Sequence, residues 1–415
     1  MKILIWHGYL LGGTGSNVYT RSLARSWSRL GHEVVVFCQD PHPEQFDLGG
    51  AIVVRPDLRG GSLPVFVLDR YEDLEARLLQ DLAPAERLEF VERNACAVRE
   101  HLPADFLLAN HVLLGAPVGA AVGMPFAVKA HGSELEFSIR GNADLAAWAR
   151  QALGDASSVF AGSEHIRRVL EDVLGPGEHL ARVRVVPPGV DVDAFRPRPR
   201  DEALRALIEE ARRDPPNPGR RLERLPDEGN ADRFAEFLAG EEPTLVYVGK
   251  LSHEKGADLL VDALEHVDAR AVLVGFGPLR DDLAARAGGR LLLSGPLEHR
   301  HLVHLFALAD VSVTPSVFPE AFGMVAAEAA AAGSPPLVAR HSGLAEIAAG
   351  LEEEYPPEYR ALTSFAPGDA RDLAAKANAI LGLPQGEWKR LSGAARRTVV
   401  RRWSWEHVAG SILSS

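Results

Sequence analysis

Two acidic residues, Glu320 and Glu328, stand eight positions apart in the segment PEAFGMVAAE, residues 319–328. Eight residues span a little over two turns of α-helix, a spacing that puts both carboxylates on one face. Gly323 indicates instead that Glu320 lies on a loop and Glu328 on the helix that follows. That geometry suits a ligand whose sugar and ribose hydroxyls meet the two acids while helix-start N–H groups meet a phosphate. The alternative is structural, because glutamate commonly complements the dipole at a helix start.

Two lysines follow a predicted strand in the segment GKLSHEKG, residues 249–256. Lys250 and Lys255 are five positions apart, so their compact ammonium groups can converge on one diphosphate. Two solvated surface lysines would produce the same pattern, since most lysines lie at the surface. This segment alone leaves both interpretations open.

A glycine-rich turn, GGTGSN at residues 12–17, lies between the first predicted strand and a helix. Its glycines allow close approach of the backbone, and the helix start offers N–H donors to a phosphate. The glycine spacing is not that of a dinucleotide-binding fingerprint, and Cys38-Gln39-Asp40 follows the second strand. Nicotinamide binding is therefore disfavoured.

Histidines follow two other predicted strands, in Asn110-His111 and in His131-Gly132. At the carboxyl end of a parallel strand a histidine can donate to a substrate hydroxyl or phosphate, although many such histidines are structural. His131 is the stronger candidate, and His253 and His341 are interpreted as incidental. No set of histidines, cysteines and carboxylates has zinc-site spacing, so neither a metal nor a cofactor is expected.

The composition excludes several classes of protein. A chain of 415 residues predicts two domains of roughly 200 residues each. A net charge of −12 argues against nucleic acid as a partner and weakens docking on an anionic membrane. The two cysteines, Cys38 and Cys96, predict no disulfide framework, and no apolar run is long enough to span a membrane. We expect a soluble, cytoplasmic protein.

Strand and helix patterns alternate along both halves of the chain, which predicts two α/β domains with parallel sheets and a ligand cleft between them. The predicted strands are Lys2–Trp6, Glu33–Cys38, Ala51–Arg55, Phe106–Ala109, Phe126–Ala130, Ser158–Ala161, Val183–Val186, Leu245–Val248, Ala271–Val274, Arg290–Leu293, Val311–Thr314 and Pro336–Val338. The predicted helices are Tyr19–Leu30, Ala85–His101, Leu145–Gly154, Ala257–His266, Pro278–Arg286, Arg300–Leu308 and Val325–Ala332.

The join between the halves is the Pro/Gly-rich stretch VPPGVD, residues 186–191, where a hinge is expected. The segment at about 198–242 is charged and contains the break PPNPG at 215–219. We interpret it as a partly mobile surface insertion in the second domain rather than a third domain.

Taken in order, these motifs resemble the GT-B retaining glycosyltransferases of family 4, over essentially the whole chain outside residues 198–242. The matching residues are Gly12-Gly13, His131-Gly132, Pro188-Gly189-Val190-Asp191 with Phe195, Gly249-Lys250-Leu251, Glu254-Lys255-Gly256, Gly275-Phe276-Gly277-Pro278, Gly295, Asp310 to Ser316, Glu320-Ala321-Phe322-Gly323, Glu328, Gly333, Gly343, Glu346 and Trp403-Ser404-Trp405-Glu406.

The resemblance implies two Rossmann-like domains that face each other across a deep cleft. Residues 1–190 would form the acceptor-binding domain, together with a C-terminal helix at about 400–415 that crosses back to it. Residues 191–399 would form the nucleotide-sugar-binding domain. The implied activity is that of a retaining hexosyltransferase that acts on a nucleotide sugar, and no metal ion is expected to take part. The acidic balance and the lack of an evident basic amphipathic helix favour a small soluble acceptor over a lipid one. A monomer or homodimer is expected.

The resemblance also implies roles for individual residues. The donor-binding residues would be Gly13, Lys250, Lys255, Leu297, Glu320, Phe322, Gly323, Met324, Val325 and Glu328. The acceptor-binding residues would be Gly12, Asn17, Asn110, His111 and His131. His131, Lys255 and Glu320 would be the catalytic residues. Glu328 would hold the ribose, Glu320 the donor sugar, and the lysines the diphosphate.

Two departures from the family's pattern stand in this sequence. Lys250 replaces the usual arginine, which keeps the charge but loses bidentate geometry. His341-Ser342-Gly343 replaces a more glycine-rich turn, a change expected on the sugar or acceptor side.

Donor and function alternatives stay open at this point. UDP is the expected nucleotide, with GDP or ADP as alternatives. A sugar-nucleotide epimerase and a catalytically silent sugar-nucleotide-binding protein are the competing functions. A phosphorylase is disfavoured because no lysine is evidently placed to anchor pyridoxal phosphate.

Overall fold

The computed structural model describes residues 1–58, 62–67 and 75–414. It divides into two compact units. The N-terminal unit comprises Met1–Gly189 and the chain from Trp405 onward, and the C-terminal unit comprises Val190–Ser404. Over the described ranges, no helix is both long and apolar enough to cross a membrane.

The N-terminal unit is built on a seven-stranded parallel sheet, with a separate two-stranded sheet of β4 and β5. Its strands are β1 (Lys2–Trp6), β2 (Glu33–Phe37), β3 (Ile52–Val54), β4 (Leu63–Val65), β5 (Ala76–Leu78), β6 (Phe106–Asn110), β7 (Ala127–Lys129), β8 (Ser158–Ala161) and β9 (Val183–Val185). Its helices are α1 (Gly15–Arg29), α2 (Pro84–Arg99), α3 (Gly115–Val122), α4 (Gly132–Glu134), α5 (Ala143–Gly154) and α6 (Glu164–Leu174).

The order of the large sheet, β3-β2-β1-β6-β7-β8-β9, reverses direction between β1 and β6. The central strands are continuous apolar runs with both faces buried, as in β1 (KILIW), because helices cover both sides of the sheet. Loops that follow β1 and β6 leave in opposite directions, so a crevice opens at the carboxyl ends of these two strands. The loops after β1, β6 and β7 begin with His7, His111 and Ala130-His131.

The C-terminal unit repeats this plan with six parallel strands in the order β12-β11-β10-β13-β14-β15. Its strands are β10 (Thr244–Val248), β11 (Arg270–Val274), β12 (Leu291–Leu293), β13 (Val311–Thr314), β14 (Pro336–Ala339) and β15 (Ser364–Phe365). Its helices are α7 (Arg200–Ala211), α8 (Asn230–Phe237), α9 (Ala257–Leu264), α10 (Arg280–Ala287), α11 (His299–Leu305), α12 (Met324–Ala331), α13 (Ser342–Glu354), α14 (Ala370–Leu381) and α15 (Gln385–Arg402). The reversal falls between β10 and β13, which carry the lysine and glutamate segments.

Every strand predicted from the sequence is present, with its ends within one residue of the prediction. The helix predicted at Tyr19–Leu30 instead begins at Gly15, so Asn17 lies in its first turn and not in the loop. The pattern also missed the helices α3, α4, α6, α13, α14 and α15, the strand β15 and the two short strands β4 and β5.

The charged segment 198–242 is not a surface insertion. Ala203 and Leu207 of α7 are fully buried, as are Phe234 of α8 and Leu238 just beyond it, and all four belong to the core of the C-terminal unit. Each pair has the i, i+4 spacing that places two side chains on one face of a helix. High charge on the opposite faces concealed this narrow apolar stripe in the sequence.

The last helix, α16 (Trp405–Leu413), belongs to the N-terminal unit and packs on α1. The indole N–H of Trp27 donates to the carbonyl of Ala409 at 3.1 Å, and the rings of Tyr19 and Trp405 meet edge to face at 5.4 Å. The sequence placed this helix at about 400–415. It begins after α15 ends at Arg402, and Ser415 lies outside the described residues.

Candidate active site

The lysine loop of the C-terminal unit is held directly against the loop that follows β13. Gly256 has φ +68°, and a Cβ atom there would lie 2.1 Å from the carbonyl oxygen of Pro315. The carbonyl of Glu254 accepts the N–H groups of Val317 at 2.9 Å and Phe318 at 3.0 Å. These contacts between backbones require glycine at 256, and they bring the side chains of the two loops together.

Lys255 and Glu320 form an ion pair across these loops, with 2.5 Å between Nζ and Oε1. The hydroxyl of Ser316 donates to the same oxygen at 2.6 Å. The side chains of Lys255 and Glu320 remain 35% and 21% exposed, so a ligand can reach both. The two predicted catalytic residues of this unit therefore lie together.

Lys250 lies on the same loop but is not drawn into the pair. Its side chain is exposed, and its carbonyl accepts the hydroxyl of Tyr247 at 2.7 Å. A hydrogen bond from Ser252 lowers the pKa of Glu254, and the nearby charge of Lys250 adds to that shift. Lys250 thus contributes positive charge to the lysine loop without a contact to Glu320.

Glu320 lies on the loop and Glu328 on α12, as the sequence indicated. Gly323 precedes α12 with φ +114°, and the first backbone bond inside the helix start runs from the N–H of Ala326 to the carbonyl of Gly323 at 3.1 Å. The N–H groups of Met324 and Val325 belong to the first turn, where a helix supplies no acceptor. Unpaired N–H groups at a helix start are of the kind that can bind an anion.

The carboxylate of Glu328 is nearly buried, and His299 contacts it with 3.2 Å between Nε2 and Oε1. His299 starts α11, two residues beyond Leu297, on the loop that leaves β12. Leu297 itself packs against the core of the unit. Sequence reasoning did not single out His299, although its position after a strand end was a usable signal.

His341, interpreted from the sequence as incidental, contacts the loop that carries Glu320. Its Nε2 lies 2.6 Å from the carbonyl oxygen of Ser316, and its Nδ1 lies 3.0 Å from the hydroxyl of Ser342. That hydroxyl accepts the N–H of Glu320 at 2.8 Å. His253, in contrast, is exposed and pairs with Asp258 at 2.6 Å, a surface contact.

In the N-terminal unit, the buried carboxylate of Glu134 joins the loops after β6 and β7. It accepts three backbone N–H groups, from His131 at 3.0 Å, Val112 at 2.9 Å and Leu113 at 2.8 Å. Burial raises the pKa of Glu134 to about 8. The three N–H bonds act in the opposite direction and lower this pKa, because they favour the ionised form. This carboxylate sets the position of His131, whose Nε2 lies 3.0 Å from Oδ1 of Asn110.

Three histidines from three strand ends form one cluster. The ring centroids of His7 and His111 are 5.8 Å apart, and those of His111 and His131 are 4.7 Å apart. Burial lowers the pKa of His7 to about 4 and holds the pKa values of His111 and His131 well below the ordinary range. The cluster is therefore neutral, and its ring nitrogens act as hydrogen-bonding groups rather than as charges.

His7 is a site residue that the sequence analysis left unassigned. Its Nε2 lies 3.0 Å from the carbonyl of Leu10 and 2.9 Å from Oδ1 of Asn17, so it carries the proton. Asn17 also donates to the carbonyl of Gly12. Asn17 thus holds the glycine loop in place, and Gly13 follows with φ +92°.

Lys129 was also missed, because it ends an apolar strand and nothing in the local pattern marks it. Its Nζ donates to the carbonyl of Val186 at 3.0 Å and lies 5.1 Å from the centre of the Tyr19 ring. Burial lowers the pKa of Lys129 to about 7.

Within residues 1–58, 62–67 and 75–414, no three histidine, cysteine or carboxylate side chains are grouped as a metal site would require.

Two family models match this chain, one in each half. The model described as Glycosyltransferase Family 4 matches residues 13–194, and the model described as Glycosyl transferases group 1 matches residues 229–398. Together they contain every residue of the loops described above except those between His7 and Gly12.

Curated relatives carry transferase names. A D-inositol 3-phosphate glycosyltransferase of Xylanimonas cellulosilytica is 27% identical over 96% of this chain and 90% of its own length. A GDP-mannose-dependent alpha-(1-6)-phosphatidylinositol dimannoside mannosyltransferase of Mycobacterium tuberculosis is 36% identical over 41% of this chain and 43% of its own length.

Solved structures share the fold over the full chain. A glycosyltransferase from Rickettsia africae has a TM-score of 0.69 at 16% identity and covers 100% of this chain and 97% of its own. Anabaena HepE in complex with UDP and glucose has a TM-score of 0.67 at 18% identity, with 100% and 98% coverage. The fold is GT-B, with two parallel-sheet α/β domains.

Proposed function

Since the chain belongs to the GT-B glycosyltransferases of family 4, we propose that it transfers a hexosyl group from a UDP-sugar to a small soluble acceptor, with retention of configuration and without a metal ion. The observation that carries the proposal is the Lys255–Glu320 pair beside the N-terminus of α12. It combines a cation, a carboxylate and free N–H donors, which are the groups needed for a diphosphate joined to a sugar.

Each part of the donor has a matching group in the C-terminal unit. Glu320 accepts hydroxyls of the transferred sugar, and the N–H groups of Met324 and Val325 with Lys255 meet the diphosphate. Glu328, held by His299 at 3.2 Å, accepts the ribose hydroxyls. The backbone of Phe322 and Gly323 supports the sugar, and Leu297 lies at the base.

The proposed step is a front-face displacement. The acceptor oxygen bonds to the anomeric carbon on the face from which the diphosphate departs, and the bond between that carbon and the diphosphate oxygen breaks with its electron pair on the oxygen. The departing oxygen takes the acceptor proton. Lys250 and Lys255 stabilise the growing negative charge, so catalysis is chiefly electrostatic and positional.

The histidine cluster supplies groups for an acceptor hydroxyl. Neither ring nitrogen of His111, nor Nδ1 of His7, has a hydrogen-bond partner among the described residues. A buried polar group without a partner costs free energy, which a bound hydroxyl would recover. His131 lies in the same cluster and is assigned to the acceptor and the reacting sugar, with Asn110, Asn17 and Gly12 beside it.

The names of the relatives bear on the donor nucleotide and on the acceptor. The HepE complexes contain UDP and UDP-glucose, which supports a UDP-sugar donor, whereas the mycobacterial relative's name specifies GDP-mannose. A relative that spans nearly the whole chain is named for inositol 3-phosphate, a small polar molecule, which supports a small soluble acceptor.

A thermal-shift screen of nucleotide sugars tests the donor assignment. A ligand at 100 times its Kd stabilises the folded chain by roughly 2.7 kcal/mol, which raises the Tm of a unit of this size by roughly 5–10 °C. UDP-sugars should give the largest shift, and GDP-mannose and ADP-glucose serve as competitors. A larger shift with GDP-mannose would identify GDP rather than UDP as the donor nucleotide. No shift with any of these nucleotide sugars would refute the proposal.

Product analysis separates transfer from the competing functions. An epimerase converts the UDP-sugar without an acceptor, whereas a transferase releases UDP only when an acceptor is present and leaves an α-linked product from an α-linked donor. Tight donor binding with no product from a broad set of acceptors would identify a silent binding protein.

A further inference from the structure

The turn that begins α13 holds the backbone of Glu320 at both of its polar groups. The hydroxyl of Ser342 accepts the N–H of Glu320 at 2.8 Å, and the N–H of Gly343 donates to the carbonyl of Glu320 at 3.0 Å. Glu320 lies on a loop, where no helix or strand would otherwise fix it. Its placement therefore depends on this turn.

The contacts of His341 determine which atoms of this turn donate and which accept hydrogen bonds. A carbonyl oxygen only accepts, so Nε2 of His341 carries the proton that bonds Ser316 at 2.6 Å. In the neutral ring Nδ1 is then an acceptor, and the hydroxyl of Ser342, 3.0 Å away, donates to it. This leaves the Ser342 oxygen as an acceptor for Glu320. The three residues form a relay from the β13 loop to the glutamate.

The relay and the Glu320 side chain share Ser316. Its carbonyl is held by His341, and its hydroxyl donates to Oε1 of Glu320 at 2.6 Å. Lys255 bonds the same oxygen, so both contacts fall on one side of the carboxylate and orient Oε2 as the remaining acceptor oxygen. The backbone and the carboxylate of Glu320 are thus set by one connected network.

Ser342 occupies a backbone conformation that favours glycine. Its φ is +47°, in the left-handed region that serine rarely adopts. The neighbouring Gly343 packs so closely that a Cβ atom there would lie 2.5 Å from Cα of Phe322. A strained serine persists where its surroundings over-determine it, and here the two hydrogen bonds of its hydroxyl do so.

We propose that His341 and Ser342 are positioning residues that aim the carboxylate of Glu320 at the hydroxyls of the donor sugar, and that they set how much the sugar adds to donor affinity. This inference rests on the proposed role of Glu320 in donor binding. Neither side chain needs to touch the substrate. Both act through the loop that carries Glu320.

The variant Ser342→Gly separates this role from a structural one. Glycine tolerates φ +47°, and the strain it relieves offsets the lost hydrogen bonds of the hydroxyl, so the melting temperature should change little, while the acceptor for the Glu320 N–H is lost. We expect Kd for free UDP to stay within about twofold, and Kd for UDP-glucose to rise by roughly 2–10-fold, the equivalent of one hydrogen bond. GDP and GDP-mannose form the second probe pair. Calorimetric titration of the full chain measures all four constants.

Glu320→Ala gives the full loss of sugar-dependent affinity expected without this carboxylate. The double variant tests whether Ser342 acts through Glu320. If Ser342 acts through Glu320, adding Ser342→Gly to Glu320→Ala causes no further loss of sugar-dependent affinity. Arg340→Ala is the matched control, because Arg340 lies in the same turn but bonds Glu352 and Ser364. It should leave the ratio of the two Kd values unchanged.

His341→Ala should shift the same ratio in the same direction, and kcat should fall with it. An unchanged ratio in Ser342→Gly, or a further loss in the double variant, would overturn the positioning role. If neither UDP-glucose nor GDP-mannose binds the wild-type chain, or if Glu320→Ala leaves the ratio unchanged, the assignment of Glu320 fails first, and this inference fails with it.

Discussion

The substitution Lys255→Ala should separate catalysis from stability. The Lys255–Glu320 pair is short at 2.5 Å, but its side chains are 35% and 21% exposed. A pair screened by solvent to this degree stabilises a fold by about 0–1 kcal/mol. We therefore expect the free energy of unfolding of the C-terminal unit to fall by less than about 1 kcal/mol.

The effect on transfer should be far larger. If Lys255 stabilises the charge that develops on the departing diphosphate, its removal costs on the order of 10²–10³ in kcat, or roughly 3–4 kcal/mol in activation free energy. Lys255→Arg keeps the charge and should retain more activity than alanine. Lys389→Ala is the matched control, because Lys389 is an exposed lysine of α15 in the same unit.

The assay pairs nucleotide release under saturating donor with denaturant unfolding of the same preparations. Turnover of Lys255→Ala within about tenfold of wild type would refute the diphosphate assignment, since that is less than about 1.4 kcal/mol of transition-state stabilisation. A loss of stability that matches the loss of activity would instead make Lys255 a structural residue. If Lys389→Ala lost as much turnover, the loss in Lys255→Ala could not be assigned to the position of Lys255.

Two further predictions test packing and protonation. Phe234→Ala should destabilise the C-terminal unit by about 3–5 kcal/mol in denaturant unfolding, because Phe234 is fully buried in its core; a loss below about 1 kcal/mol would restore the view of residues 198–242 as a surface insertion. His7 has its pKa lowered from 6.5 to about 4 by burial, so the folded chain binds fewer protons than the unfolded chain between these values. Its contribution of about 3 kcal/mol is complete above pH 6.5 and is lost as the pH falls toward 4. His7→Gln should flatten the decline in unfolding free energy between pH 6.5 and 4, and an unchanged slope would contradict the assignment.

Local patterns located most of the strands, some of the helices and many candidate residues. Apolar runs bounded by turn residues predicted twelve of the fifteen described strands to within one residue, because short-range periodicity distinguishes strands from helices. The same locality separated Glu320 on its loop from Glu328 on α12, since Gly323 interrupts the helix between them. Residue type and position at a strand end marked Lys255 and His131 as candidates, and the family resemblance supplied the roles predicted for them.

The contacts between those residues were decided by the tertiary structure. Lys255 meets Glu320 across 65 positions, and His7, His111 and His131 meet from three strands, because the sheet order brings β10 beside β13 and β1 beside β6. Strand order is a non-local property, so the sequence marked separate candidates without showing their partners. For the same reason the sequence did not show the contacts of His341 or the burial of Phe234. Periodicity specifies which face of an element is apolar, and packing alone determines what that face and its polar ends will touch.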